Sequence, residues 1–435
     1  MNYFQQIKNI SKGEFAKKTI FSFALKILGL ALSYAFILIV SRCFGAESYG
    51  RFSIAFTVLN VFALVFALGI PDATIKIVSD QSIKSKYHFR KTSLSLIVLS
   101  SVIGALILYF SSEFLSEFYK DDSLNRFFIV AAITLAPLVL LRLNYETLRG
   151  KKDIVKFGIL SHVTPFLIGS LVVLIAFYGF HTVDDAIIIK AYAIGVAIAL
   201  VLSLFWTRNS SPTSNLKKYP VKQLMHYSLP MLATSSFIFI MGWTDTLMLG
   251  YYNDKADVGI YNVVIRIARI AIIAITSINL VLAPKVSELY SSSQFDKMKQ
   301  MIAKSTKLIF LLTAPIVLII VIANKFVLSI FGDEFIAGGT ALVIIMISQF
   351  FNAMSGSVGQ IMNMTGHHKN LRNFTLISAI LNIVLNLILI PIYGILGAAI
   401  ATASSSILLN LISVIFVKNR LGITTYYLPF SSNKN

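Results

Sequence analysis

Twelve long apolar runs decide what this chain can become. They fall at 19–40, 52–70, 93–110, 127–148, 157–178, 186–206, 229–250, 259–282, 305–323, 337–362, 371–390 and 393–417, and each is close to the ~20 residues that carry a helix across the hydrocarbon core of a bilayer. None shows the apolar–polar alternation of a barrel strand, so helices are predicted. The chain is 435 residues long, 56% hydrophobic and 13% charged, which excludes an ordinary soluble domain. One cysteine, Cys43, excludes an internal disulfide framework and a cysteine metal cluster. The start, "MNYFQQIKNISKGEFAKK", is polar and basic and no small-residue cleavage site follows it, so the first run reads as a retained span.

The basic residues set the orientation. With both termini in the cytoplasm, most Lys and Arg lie in cytoplasmic segments, whereas acids concentrate in outer loops such as "SSEFLSEFYKDD" and "HTVDD". The net charge of +19 then faces anionic lipid headgroups, and no nucleic-acid partner is needed to explain it.

The chain also repeats itself. Gly50 in "ESYGRF" matches Gly259 in "ADVGIY", Pro71 matches Pro284, "FYKDDSL" matches "IFGDEFI", Gly150 matches Gly366, and "YGF" matches "YGI", all in one order and at nearly constant offset. Two six-helix lobes, 1–206 and 224–418, are expected, joined by a polar linker at 207–223 and followed by a cytoplasmic tail at 419–435. Six is even, so the lobes are parallel repeats, with a substrate site between them and alternating access by rocking.

"FGAESYGRFSIA", "GIPDATIK", "LRGKKDIVKF", "YSLPMLATSSFIFIMGWTDTLMLGYY", "ADVGIYNVVIRIAR" and "QIMNMTGHHKN" together resemble signatures of the Wzx-type flippases, the polysaccharide transporter branch of the multidrug/oligosaccharidyl-lipid/polysaccharide (MOP) superfamily. The resemblance covers nearly the whole chain, and the order and spacing of the motifs carry it. It implies an all-α, MATE-like transporter of the bacterial inner membrane that moves an undecaprenyl-diphosphate-linked oligosaccharide, an O-antigen, capsule or exopolysaccharide unit, to the outer leaflet. A glycan polymerase and a chain-length regulator are the partners it implies.

The residues argue in the same direction. The charges read inside spans are Lys26, Lys190, Arg266 and Arg269 against the acid Asp245, an interior that suits an anion. Asn262, Arg266 and Arg269 share a helical face, and their repeat partners Ser53, Thr57 and Asn60 form a polar stripe in the first lobe. Gln349 and Asn352, and Asn382 and Asn386, add amides at helical spacing. Guanidinium forks suit a diphosphate, and amides and hydroxyls suit a sugar. Arg266, Arg269 and Lys26 are therefore the candidate headgroup ligands, with the polar residues as cavity lining.

Structural alternatives stand beside these readings. Asp245 and Arg266 lie at similar depth, so an ion pair of Asp245 with one arginine is open. Lys26 and Lys190 can snorkel to the interfaces, and the polar stripes can serve helix packing. The glycines of "GAESYG" suit a tight turn between the first two spans. No nucleophile, acid and base set appears, and no cofactor is expected beyond H⁺ or Na⁺ coupling at Asp245. A cation-coupled multidrug exporter of the same superfamily is the alternative function. A membrane-embedded polymerase or glycosyltransferase fits less well, because the loops are short.

Overall fold

The structure, a computed structural model, describes residues 3–79, 86–207 and 220–427; most of the predicted linker and the end of the predicted tail lie outside these residues. Among the described residues every regular element is helical, and ten segments are long and apolar enough to cross a membrane. All twelve predicted windows fall largely on helix.

The chain divides into two compact units, 1–239 and 240–435. The first holds α1 (Tyr3–Phe66), α2 (Ile70–Ser79), α3 (Lys86–Phe110), α4 (Ser112–Phe118), α5 (Ser123–Gly150), α6 (Ile154–Gly158), α7 (Thr164–Leu174), α8 (Ile187–Thr207) and the start of α9 (Val221–Tyr252). The division falls inside α9 and not in the polar linker. The early turns of α9 belong with the first unit because they pack there: a Cβ on Gly69 would meet the Ser228 carbonyl at 2.2 Å, and the Lys76 ammonium lies 5.3 Å from the Tyr227 ring.

The expected turn between the first two spans is made by one residue. Gly45 has φ 81° and ψ 179° and interrupts α1, the helix resuming at once. Only glycine takes such a conformation without steric strain. Gly50, expected to share the turn, is buried within helix. Arg51, just beyond, donates to Asp121 at 2.8 Å and Asp185 at 2.9 Å and pairs with Glu47. It fastens α1 to the segments that precede α5 and α8.

The second unit contains the rest of α9 with α10 (Lys255–Ala268), α11 (Ile272–Ser291), α12 (Phe295–Ile322), α13 (Asn324–Ser329), α14 (Gly339–Ser355), α15 (Val358–Met364), α16 (His368–Tyr393) and α17 (Ile395–Leu421). Two predicted windows are broken here. The run 259–282 is interrupted by a 3₁₀ turn at Arg269–Ala271, and 337–362 breaks at Gly356, with φ 66° and ψ −153°. Gly356 is close-packed as well, since a Cβ there would meet Thr306 Oγ1 at 2.4 Å.

The predicted cytoplasmic tail is partly core. After the left-handed cap at Gly422 the chain runs extended, with Ile423 and Thr425 1% exposed and Thr424 and Tyr426 turned outward, the period of a strand. Ile423 joins a cluster with Leu282, Met298, Ile302 and Met362. The Tyr427 N–H donates to the Met354 carbonyl at 2.9 Å, a group whose helical partner is lost where α14 breaks.

Candidate functional site

The site is built on α10. Val263 and Val264 are fully buried and Ile267 is 1% exposed, which fixes one side of the helix in the unit. Tyr261, Asn262, Ile265, Arg266 and Arg269, at helical spacing, line a cavity of about 280 Å³ on the other side. Asp245, Trp243 and Thr246 from α9, Gln349 from α14, and Thr402 and Ser406 from α17 complete much of the wall. Arg266 is half-buried and Arg269 exposed. Arg269 begins the 3₁₀ turn, so one guanidinium sits on helix and the other at the joint.

At one wall of this cavity lies a buried polar network. Asp245, 5% exposed, accepts hydrogen bonds from the Tyr261 hydroxyl at 2.6 Å, from the Thr402 hydroxyl and from the Asn386 amide. Asn386 also donates to Asn382 Oδ1 at 3.1 Å, and Asn382 donates to Thr402 and Ser405, each at 3.4 Å. Four helices, α9, α10, α16 and α17, therefore converge on one carboxylate. Buried charge is tolerated where such donors replace water. The Oδ1 of Asn386 is buried without a hydrogen-bond partner, so the network retains an unused oxygen acceptor.

The structure brings some of the sequence candidates together and separates others. Arg266, Arg269, Asp245, Asn262 and Gln349 share the cavity. Asn352 stands behind it, donating to Gln349 Oε1 at 3.4 Å. Asn382 and Asn386, 2% and 0% exposed, hold Asp245 and do not line the open space. Their short amides are consumed by neighbours on α9 and α17, which a single-helix reading cannot anticipate. In the first unit Ser53 and Thr57 are buried, Thr57 returning its hydroxyl to the Ser53 carbonyl at 2.7 Å. Asn60 is half-buried and donates to the Phe56 carbonyl. Thr57 and Asn60 thus bond to the backbone of their own helix. Lys26 is exposed on α1, and Lys190 donates to Asp184 at 2.9 Å.

Sequence reasoning missed Tyr261 and Thr402, the two hydroxyls on Asp245. Thr402 lies in the hydroxyl-rich run "ATASSS", a signal that was present; Tyr261 sits five residues before Arg266 and looks like any membrane tyrosine. Asp245 is also not the single buried acid: Glu146 and Asp185 are each 7% exposed. Arg142, within the predicted fourth span, lies 3.8 Å from Asp72.

An all-helical multi-pass membrane protein with a basic and polar cavity inside one helical unit has the architecture of a transporter. The chain belongs to the polysaccharide biosynthesis protein family, which it matches over residues 39–338. It is 24% identical over 399 residues to the "Probable low-salt glycan biosynthesis flippase Agl15" of Haloferax volcanii, covering 90% of this chain and 81% of that one. It is 21% identical over 407 residues to the "Capsular polysaccharide biosynthesis protein CapF" of Staphylococcus aureus, covering 92% and 98%. Among solved structures, an inward-facing MATE-family multidrug transporter of the MOP superfamily superposes with a TM-score of 0.76 at 13% identity, over 93% of this chain and 98% of that one. The lipid II flippase MurJ superposes with a TM-score of 0.74 at 16% identity, over 93% and 87%. These likenesses establish the fold.

Proposed function

We propose that this protein is a flippase that carries a lipid-linked oligosaccharide, joined through diphosphate to a polyprenol such as undecaprenol, from the cytoplasmic to the outer leaflet of the inner membrane. The observation that carries the reading is the placing of Arg266 and Arg269 on the wall of one polar cavity. Two guanidiniums there match the fixed charge of a diphosphate, and the surrounding amides and hydroxyls match sugar hydroxyls. The flippase and capsule relatives support the same substrate class. With both termini cytoplasmic, outward movement of the anionic headgroup is favoured by about 2.3 kcal/mol per charge per 100 mV of inside-negative potential.

Asp245 is the proposed coupling group. Its carboxylate, the Thr402 hydroxyl and the unpartnered Asn386 oxygen form an oxygen-rich donor set, suited to a proton or to a hard monovalent cation such as Na⁺. Coupling by this route serves glycolipid export and also the multidrug exchange that is the alternative function; the paired arginines favour the anionic cargo.

The test is translocation of a fluorescent polyprenyl-diphosphate oligosaccharide in vesicles containing the purified protein, together with complementation of a strain lacking a repeat-unit flippase. Transport of cationic drugs with none of the glycolipid would replace this reading with the multidrug one.

A further inference from the structure

The first unit carries a groove remote in sequence from the Arg266 cavity. α3 and α8 both pack against α5, and a space of about 440 Å³ is lined by Arg90 of α3 and by Val201, Leu204 and Phe205 of α8. The three apolar side chains are exposed, Phe205 at 66%. In a membrane helix such a face meets lipid chains.

Cations gather at one end of this trough. Arg90 donates through Nη1 to the carbonyl of Thr207, the last residue of α8, which uses one of its five N–H donors. The Lys156 ammonium lies 5.9 Å from the Trp206 ring centre and pairs with Asp153 at 2.8 Å. Partial burial, with the charges of Arg90 and Lys156 close by, pushes the Lys151 ammonium below its ordinary range. Among the described residues, the charges of Arg90, Lys156 and Asp153 thus all act on Lys151. Trp206 marks the level at which indoles settle between hydrocarbon and water.

We propose that this groove is a binding site for an anionic glycerophospholipid, its phosphate held by Arg90, Lys151 and Lys156 and an acyl chain lying along Val201, Leu204 and Phe205. A soluble phosphate has no use for the apolar trough. Residues 201 to 205 span only about 6 Å along the helix, so the groove recognises the headgroup and the start of a chain. Neither the length nor the branching of a polyprenol can be read over that distance, and a bulk anionic lipid is the occupant that fits.

The chain has two tryptophans, Trp206 and Trp243, so Trp243→Phe leaves Trp206 as the sole reporter. This protein is reconstituted in phosphatidylcholine bilayers containing increasing fractions of brominated phosphatidylglycerol or brominated phosphatidylcholine, and indole quenching is measured. Phosphatidylglycerol should quench at lower mole fraction. The relative affinity should fall about fivefold for each charge removed in Arg90→Gln, Lys151→Gln and Lys156→Gln. Arg90 also holds the end of α8, so Lys151→Gln decides the matter should the Arg90 variant fail to fold. Equal quenching by the two lipids, or selectivity unchanged in the lysine variants, overturns the proposal. Displacement by millimolar inorganic phosphate, or preference for a brominated polyprenyl phosphate, overturns it in favour of a soluble anion or an anchor lipid.

Discussion

Tyr261 donates its hydroxyl to Asp245 across 2.6 Å, which joins the helix bearing Arg266 to the helix bearing the buried carboxylate. The acid that sequence grounds offered to an arginine accepts hydrogen bonds from three neutral donors, Tyr261, Thr402 and Asn386. Two tests separate what the arginines do from what the carboxylate does.

Arg266→Ala and Arg269→Ala should each slow glycolipid translocation about ten- to a hundredfold, the worth of a charge-assisted hydrogen bond of ~1.5–3 kcal/mol. Lysine at either position should recover part of the rate, since it keeps the charge and loses the fork. Rates are compared in vesicles at equal protein content. Undiminished transport in both alanine variants would remove the arginines from the proposed headgroup site.

Tyr261→Phe should lower stability by about 1–3 kcal/mol, because the buried Asp245 loses a donor without gaining water. Asp245→Asn should lose much of any dependence of transport on the coupling ion. A double-mutant cycle in thermal unfolding should show a coupling of ~0.5–3 kcal/mol between the two positions. Strict additivity would mean that the hydrogen bond contributes nothing to stability.

The extended segment after α17 offers a stability test far from the cavity. Ile423→Ala should cost about 2–5 kcal/mol, the range for truncating a buried isoleucine. Thr424→Ala, at an exposed position next to it, should stay within about 0.5 kcal/mol. Thermal midpoints in detergent decide the comparison, and equal values would show that this segment is not part of the core.

Asp184 makes a pH prediction. Burial alone would raise its carboxyl, but the Lys190 ammonium, the Ala186 N–H and the Arg126 charge outweigh it and hold the group below the usual range. A depressed folded pKa means that the stabilisation is complete above the unfolded value of about 3.9 and is lost as pH falls through the folded value. The thermal midpoint should therefore drop below about pH 4, and by less in Lys190→Met. Because Asp184 is partly exposed, the effect is small. An identical acid profile in the variant would show that Lys190 does not stabilise the carboxylate.

The apolar windows were legible because bilayer thickness imposes one length on every span, and the turn at Gly45 because glycine alone suits that backbone. The break at Arg269–Ala271 was not, for "RIA" contains neither glycine nor proline, and only packing against other helices selects it. The carboxylate network was hidden for a different reason. Asp245, Tyr261, Asn386 and Thr402 stand on four helices, and no periodicity within one helix records which residues another will present. The spacing of Asn382 and Asn386 shows a polar pair but not its partner, an acid 141 residues from Asn386. Ser53, Thr57 and Asn60 matched the repeat in register, yet their polarity is directed largely at their own helix.

The 3₁₀ turn at Arg269–Ala271 places a cavity guanidinium on the joint between α10 and α11. Short 3₁₀ stretches within helices often mark hinges. A ligand that meets Arg269 differently in two shapes of this joint would shift their populations by that difference in free energy. By reciprocity, the shape of the joint would alter the ligand's affinity by the same factor. In the proposed transport cycle, occupancy and helix shape are then two readings of one equilibrium, and cargo and conformation need no separate messenger between them.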